Sequence, residues 1–127
     1  MLENGIKGTQ EEIVTKNNSA EAMGSGQLPV FATPAMIALI EKTAWQSAAP
    51  YLEEGQGTVG TRLDIAHVAP TPIGMKVRCE TVLTEMDGRK LVFTVQVFDE
   101  KGLIGEGKHE RFIINNEKFL SKAEAKK

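Results

Sequence analysis

FATPAMIALIEKTAWQSAAP, residues 31–50, decides how the rest of the chain is read. Thr33 precedes Pro34; a residue before proline is held in extended dihedrals, as a helix N-cap must be, and proline suits the first helical position. Thr33 is therefore expected to cap a helix that starts near residue 34. The helix should run to about Leu52, because Gly55 and Gly57 follow and glycine readily ends helices. At 1.5 Å per residue it would be about 28 Å long. One acidic residue, Glu41, stands in it. A step of 100° per residue places Glu41 among Ile37, Ala38, Trp45 and Ala48, with the polar stripe of Lys42 and Gln46 about 100° away. No Lys or Arg lies three or four residues from it, and Trp45 is its i+4 neighbour. An isolated carboxylate on an apolar face is costly. A partner from outside the helix is expected.

Downstream of the helix the period changes. TVGTRLDIAHVAP alternates from residue 58, with Val59, Thr61, Leu63, Ile65, His67 and Ala69 predicted on one face and Gly60, Arg62, Asp64 and Ala66 on the other. Pro70 and Pro72 interrupt it. A strand over about Met75–Glu85 follows, with Met75, Val77, Cys79, Thr81 and Leu83 on one side. Asp87-Gly88 is a hairpin signal. LVFTVQVFD, residues 91–99, and LIGEGKHERFII, residues 103–114, read as two further strands separated by the turn EKG. Upstream, TQEEIVTKN, residues 9–17, reads as a first strand. NNSAEAMGSGQLP, residues 17–29, reads as a loop, either a lid or a plain connector. The predicted order is strand, helix, antiparallel meander, with residues 116–127 a short helix or frayed peripheral tail.

Composition narrows the function. The chain has 127 residues, 41% hydrophobic and 25% charged, the balance of one globular domain with one core. No run reaches the roughly 20 apolar residues of a membrane span, and MLENGIKGTQ lacks the layout of a signal peptide. A cytoplasmic protein without membrane association is expected. One cysteine, Cys79, and two histidines, His67 and His109, offer neither a disulfide nor a spaced metal cluster, so no metal is predicted. A net charge of −2 argues against nucleic acid as a partner. Gly55, Gly57 and Gly60 match G-x-G-x-x-G, but that fingerprint needs a strand before it and a helix after it. Here the order is reversed, and turn glycines are the expected reading.

Each candidate has a plain structural use: Thr33 as a cap, His67 as a core or rim residue, Glu41 as a rim carboxylate or the partner of a structural arginine. Taken together they point further. The apolar face of the sheet must pack on the apolar stripe of the helix, which brings the His67 face towards Glu41. A hydroxyl, a carboxylate and an imidazole near one helix suit hydrolysis.

The blocks AEAMGSG, FATPAMIALIE, GTVGTRLDIAHVAPTPIGM, DGRKLVFTVQVFD and GLIGEGKHERF resemble the fluoroacetyl-CoA thioesterase family, a branch of the hot-dog-fold acyl-CoA thioesterases. The resemblance runs from about residue 9 to residue 115. It implies an α+β hot-dog fold, an antiparallel sheet of about five strands wrapped around one long central helix, in a single domain over 1–127. It also implies hydrolysis of a short-chain acyl-CoA thioester to free acid and CoA. The family's threonine, glutamate and histidine fall on Thr33, Glu41 and His67. No cofactor is implied, since coenzyme A is part of the substrate. Two other readings stand beside it: a non-catalytic acyl-CoA-binding hot-dog module, and a hot-dog hydratase or dehydratase.

A polyanionic CoA substrate calls for basic residues at the pocket rim. Arg62, Lys76, Arg78, Arg89 and Arg111 are the candidates, and the HERF block favours Arg111. Gly60 is expected to let the acyl group approach the backbone, or to serve as a β-bulge glycine. Met23, Gly24, Gln27 and Leu28 suit closure over many short acyl groups, and nothing there marks a fluorinated one. Inside one helix Thr33 and Glu41 would be about 12 Å apart along the axis, too far for a hydrogen bond. Either the site spans that length or two chains supply it. The helix is also more apolar than one sheet would cover, so a homodimer is expected.

Overall fold

The computed structural model describes residues 1–127. The first strand, β1 (Lys7–Ile13), leads through a short turn into α1 (Ala20–Met23) and then α2 (Thr33–Ala48), which ends in a single 3-10 turn over Ala49–Tyr51. Four strands follow, β2 (Gln56–His67), β3 (Lys76–Asp87), β4 (Lys90–Asp99) and β5 (Gly102–Asn115), and α3 (Asn116–Glu124) closes the chain. One antiparallel sheet forms in the order β1-β3-β4-β5-β2. With α2 lying across it, this is the α+β hot-dog arrangement. No helix is long and apolar enough to cross a membrane.

Local chemistry accounts for most of these boundaries. The β3–β4 hairpin pairs Asp87 with Lys90, leaving Gly88 and Arg89 as a two-residue loop. Gly88 sits at φ +62°, which a glycine adopts without steric cost. β3 and β4 alternate along most of their length: Val77, Cys79, Thr81, Leu83, Leu91, Phe93, Val95 and Val97 are buried, and Val92 joins them where the β3–β4 register slips between Leu83 and Glu85. From α2 they meet Ala35, Met36, Leu39, Ile40, Thr43, Ala44 and Ala48. Burial of a residue such as Leu39 or Ile40 contributes about 1.5–3 kcal/mol, so this seam holds the helix on the sheet.

Three details of the sequence reading change. Ala32, not Thr33, occupies the N-cap position of α2, and no side chain caps it. Thr33 is the first helical residue, so its hydroxyl is free for another partner. Second, β2 carries a bulge between Gly60 and Arg62, where the register against β5 slips. An extra residue reverses the faces: Thr58 and Gly60 turn inward alongside Leu63, Ile65 and His67, whereas Val59 and Thr61 were expected there. Third, Glu41 lies at the border of the core stripe rather than within it. Ala38 and Trp45 on that flank are exposed, Trp45 to 45%.

Candidate active site

The polar side chains gather in two places. At the start of α2, Thr33 Oγ1 lies 2.8 Å from His67 Nδ1. Both residues are set by backbone. The Phe31 N–H donates to the Thr71 carbonyl and the Ala32 N–H to the Asn18 carbonyl, which pins the entry to α2. His67 is the last residue of β2, and the Val68 N–H after it donates to the Ile104 carbonyl at 2.7 Å. Thr33 and His67 line a pocket of about 320 Å³ together with Ala20, Ser25, Phe31 and Val68. The segment over residues 17–29 thus borders the pocket rather than merely connecting β1 to α2.

His67 Nε2 is buried and has no hydrogen-bond partner. Buried polar atoms are normally satisfied, so this nitrogen is left without its usual partner within the single chain. Burial also holds the imidazole below the ordinary histidine pKa of 6.5, against an opposing pull from the Ala69 backbone. At neutral pH the ring is uncharged and can accept a proton.

The second gathering is one helical stretch away. Glu41 Oε2 meets Arg111 Nη1 at 3.6 Å, the carboxylate side chain 42% exposed and the arginine 6%. Arg111 Nε donates to Thr58 Oγ1 at 2.8 Å and Nη2 to the Thr58 carbonyl at 2.9 Å. Nη1 also lies 3.1 Å from His109 Nε2. Gly60 makes this possible. A Cβ at Gly60 would stand 2.7 Å from Glu41 Oε2, 3.2 Å from His109 Cε1 and 3.3 Å from Arg111 Nη1. Any side chain there would displace the carboxylate.

Within one chain, then, Thr33 and His67 come together, and Glu41 bonds to neither. Glu41 is instead answered by Arg111, the outside partner that the helix pattern called for. Arg111 is not a rim cation: it is buried, with its guanidinium committed to Glu41, Thr58 and His109. The other rim candidates are elsewhere too. Lys76 pairs with Glu11 and Arg78 with Glu80, while Arg62 and Arg89 are exposed and absent from the Thr33–His67 pocket. His109 and Thr58 were missed as site residues. The alternation of H-E-R in KHERF already placed His109 on the face of Arg111; Thr58 was hidden by the bulge. Cys79 offers no nucleophile, since burial pushes its thiol up to about 11 and only Thr43 opposes the rise.

Comparison with known proteins adds a second line. The family described as fluoroacetyl-CoA-specific thioesterase, FlK, matches residues 14–117. A fluoroacetyl-CoA thioesterase of Streptantibioticus cattleyicolor is 41% identical over 97 residues, 76% of this chain and 70% of that protein. A solved structure of the fluoroacetyl-CoA thioesterase FlK superposes with a TM-score of 0.93 at 33% identity, covering 100% of this chain and 98% of that one. A Thermus thermophilus protein described as a thioesterase superfamily member gives a TM-score of 0.90 at 27% identity, with 98% and 93% covered.

Proposed function

Because the chain belongs to the fluoroacetyl-CoA-specific thioesterase family, we propose that it hydrolyses a short-chain acyl-CoA thioester to free acid and CoA, with Thr33, Glu41 and His67 as its catalytic set. The observation that carries this reading is the Thr33–His67 contact of 2.8 Å in the wall of a pocket, with His67 Nε2 unpartnered beside it. In the reaction a C–O bond forms at the thioester carbonyl and the C–S bond breaks. The thiol leaving group, with a pKa near the cysteine value of roughly 8.5, departs without a strong acid. The protein's tasks are to activate the nucleophile and to stabilise the oxyanion. Glu41 either attacks the carbonyl carbon or takes a proton from an attacking water, and neutral His67 relays that proton. The positive end of α2, beside Thr33, favours the developing oxyanion.

We further propose that the protein works as a homodimer. The exposed flank of α2 around Ala38 and Trp45 supports this, as does β2, an unpaired sheet edge that ends at His67. Two copies meeting there would bring the Thr33–His67 pair and the Glu41–Arg111 pair, unconnected within one chain, to a shared site. A species that sediments as a monomer at every concentration would contradict it.

Release of free thiol from a panel of short acyl-CoAs, acetyl-CoA and fluoroacetyl-CoA among them, is the test. Turnover of at least one member is expected. Saturable binding of acyl-CoA without thiol release would make the chain a binding module, and hydration of an unsaturated chain without thiol release would make it a hydratase.

A further inference from the structure

His109 has no part in the catalytic set, yet it is completely buried, on an inner position of β5 with its ring 6.4 Å from that of Phe93. A buried imidazole is costly unless both nitrogens are used. Both are. Nδ1 lies 2.9 Å from the Arg62 carbonyl oxygen and Nε2 lies 3.1 Å from Arg111 Nη1. Each neighbour permits one role only: a carbonyl oxygen can only accept, and a guanidinium can only donate. Nδ1 must therefore carry the proton and Nε2 must be the acceptor. The two ends dictate the same neutral tautomer independently.

We propose that His109 is a positioning residue for the thioesterase reaction, locked as the neutral Nδ1–H tautomer so that its Nε2 accepts from Arg111 and aims that guanidinium at Glu41. The inference rests on the proposed catalytic role of Glu41. Thr58 fixes two of the arginine's nitrogens, through Nε and Nη2. Those two bonds anchor one side of the fork. The remaining nitrogen, Nη1, is the one that faces Glu41, and His109 is its hydrogen-bond acceptor. A second proton on His109 would point an N–H at an N–H across 3.1 Å and turn Nη1 away. Burial and the charge of Arg111 both hold the ring below the ordinary pKa of 6.5, outweighing the Arg62 carbonyl and the nearby Glu41 and Glu110. The bulge in β2 fits the same arrangement, since it lies between Gly60, which leaves the space, and Arg62, whose carbonyl holds Nδ1.

Two readouts test the lock. Only two histidines are present, so selective ¹⁵N labelling of histidine gives two ring systems, and the one lost in His109→Gln belongs to His109. At pH 7 its proton is expected on Nδ1 with none on Nε2; a proton on Nε2 overturns the proposal. Kinetics with acetyl-CoA supply the second. His109→Leu, which removes the acceptor, should lower kcat roughly 10- to 100-fold with little change in KM. His109→Gln, whose amide oxygen can accept from Arg111, should recover most of that loss. In a Glu41→Gln background His109→Leu should cost nothing more, because the two act through one contact. Full turnover by Glu41→Gln alone would sink the catalytic reading. Collapse of Glu41→Gln beside a folded His109→Leu of normal kcat would sink only this inference. Should His109→Leu fail to fold, the ring tautomer and the His109→Gln rate decide the matter by themselves.

Discussion

Thr33–His67 and Glu41–Arg111–His109 are built from similar groups and kept in opposite conditions. The first pair opens on a pocket and leaves His67 Nε2 unpartnered. The second is committed: its arginine is spent on three partners and its buried histidine on two, while the Glu41 carboxylate they hold stays 42% exposed. A satisfied network holds its members in one geometry, whereas a pair with one unsatisfied nitrogen in a pocket wall is less tightly fixed. One region is arranged to receive and the other to hold a carboxylate still.

The strongest way to break that comparison is Glu41→Gln. It keeps the shape and removes the charge, so turnover should fall by at least about 100-fold, while the protein stays folded with a lowered unfolding temperature because buried Arg111 loses its counter-charge. A normal rate would mean that the cluster only supports the fold. Gly60→Ala is a smaller perturbation of the same place. Its Cβ would lie 2.7 Å from Glu41 Oε2, so the carboxylate must move. Roughly a 10-fold loss of kcat is expected, with little change in stability, because the displaced atom is the tip of a flexible, half-exposed side chain. Equal activity would show that the position of Glu41 is not critical.

The smallest effect is on pH dependence and involves both regions. Burial holds His67 and His109 below the ordinary pKa of 6.5. Between those lowered values and 6.5 the unfolded chain binds more protons than the folded one. The stability from keeping both rings neutral is thus complete above pH 6.5 and is lost as pH falls through the lowered values. Thermal melts from pH 7 to 5 should show a decline, and substitution of either histidine by Gln should shrink it by roughly 2–4 °C. A decline untouched by either change would remove the histidines as its source.

Much of this was legible in advance. Alternation in VRCETVL and LVFTVQV placed the core strands, because their inner faces repeat every two residues except at Val92, where the register slips once. Thr33, His67 and Glu41 were visible as polar groups beside apolar stripes. Other readings failed at defects. The bulge at Gly60–Arg62 leaves no mark in the periodicity, so Val59 and Thr61 read as inward and Gly60 as outward. Arg111 was expected at a rim because a cation reads as exposed until its partners are known.

The sequence by itself determined what short range can determine: where the helix starts and ends to within a few residues, which strands alternate, where Gly88 turns the chain, and that Glu41 needs a partner it does not have on its own helix. Only the tertiary structure decided that β1 pairs with β3 and β2 with β5, that Thr33 turns its hydroxyl to His67 instead of capping α2, and that Arg111 is the cation that answers Glu41. Periodicity and capping arise from contacts within a few residues. The meeting of Glu41 with Arg111 joins segments far apart in the chain and depends on sheet order, a bulge and the space left by one missing Cβ, none of which is written locally.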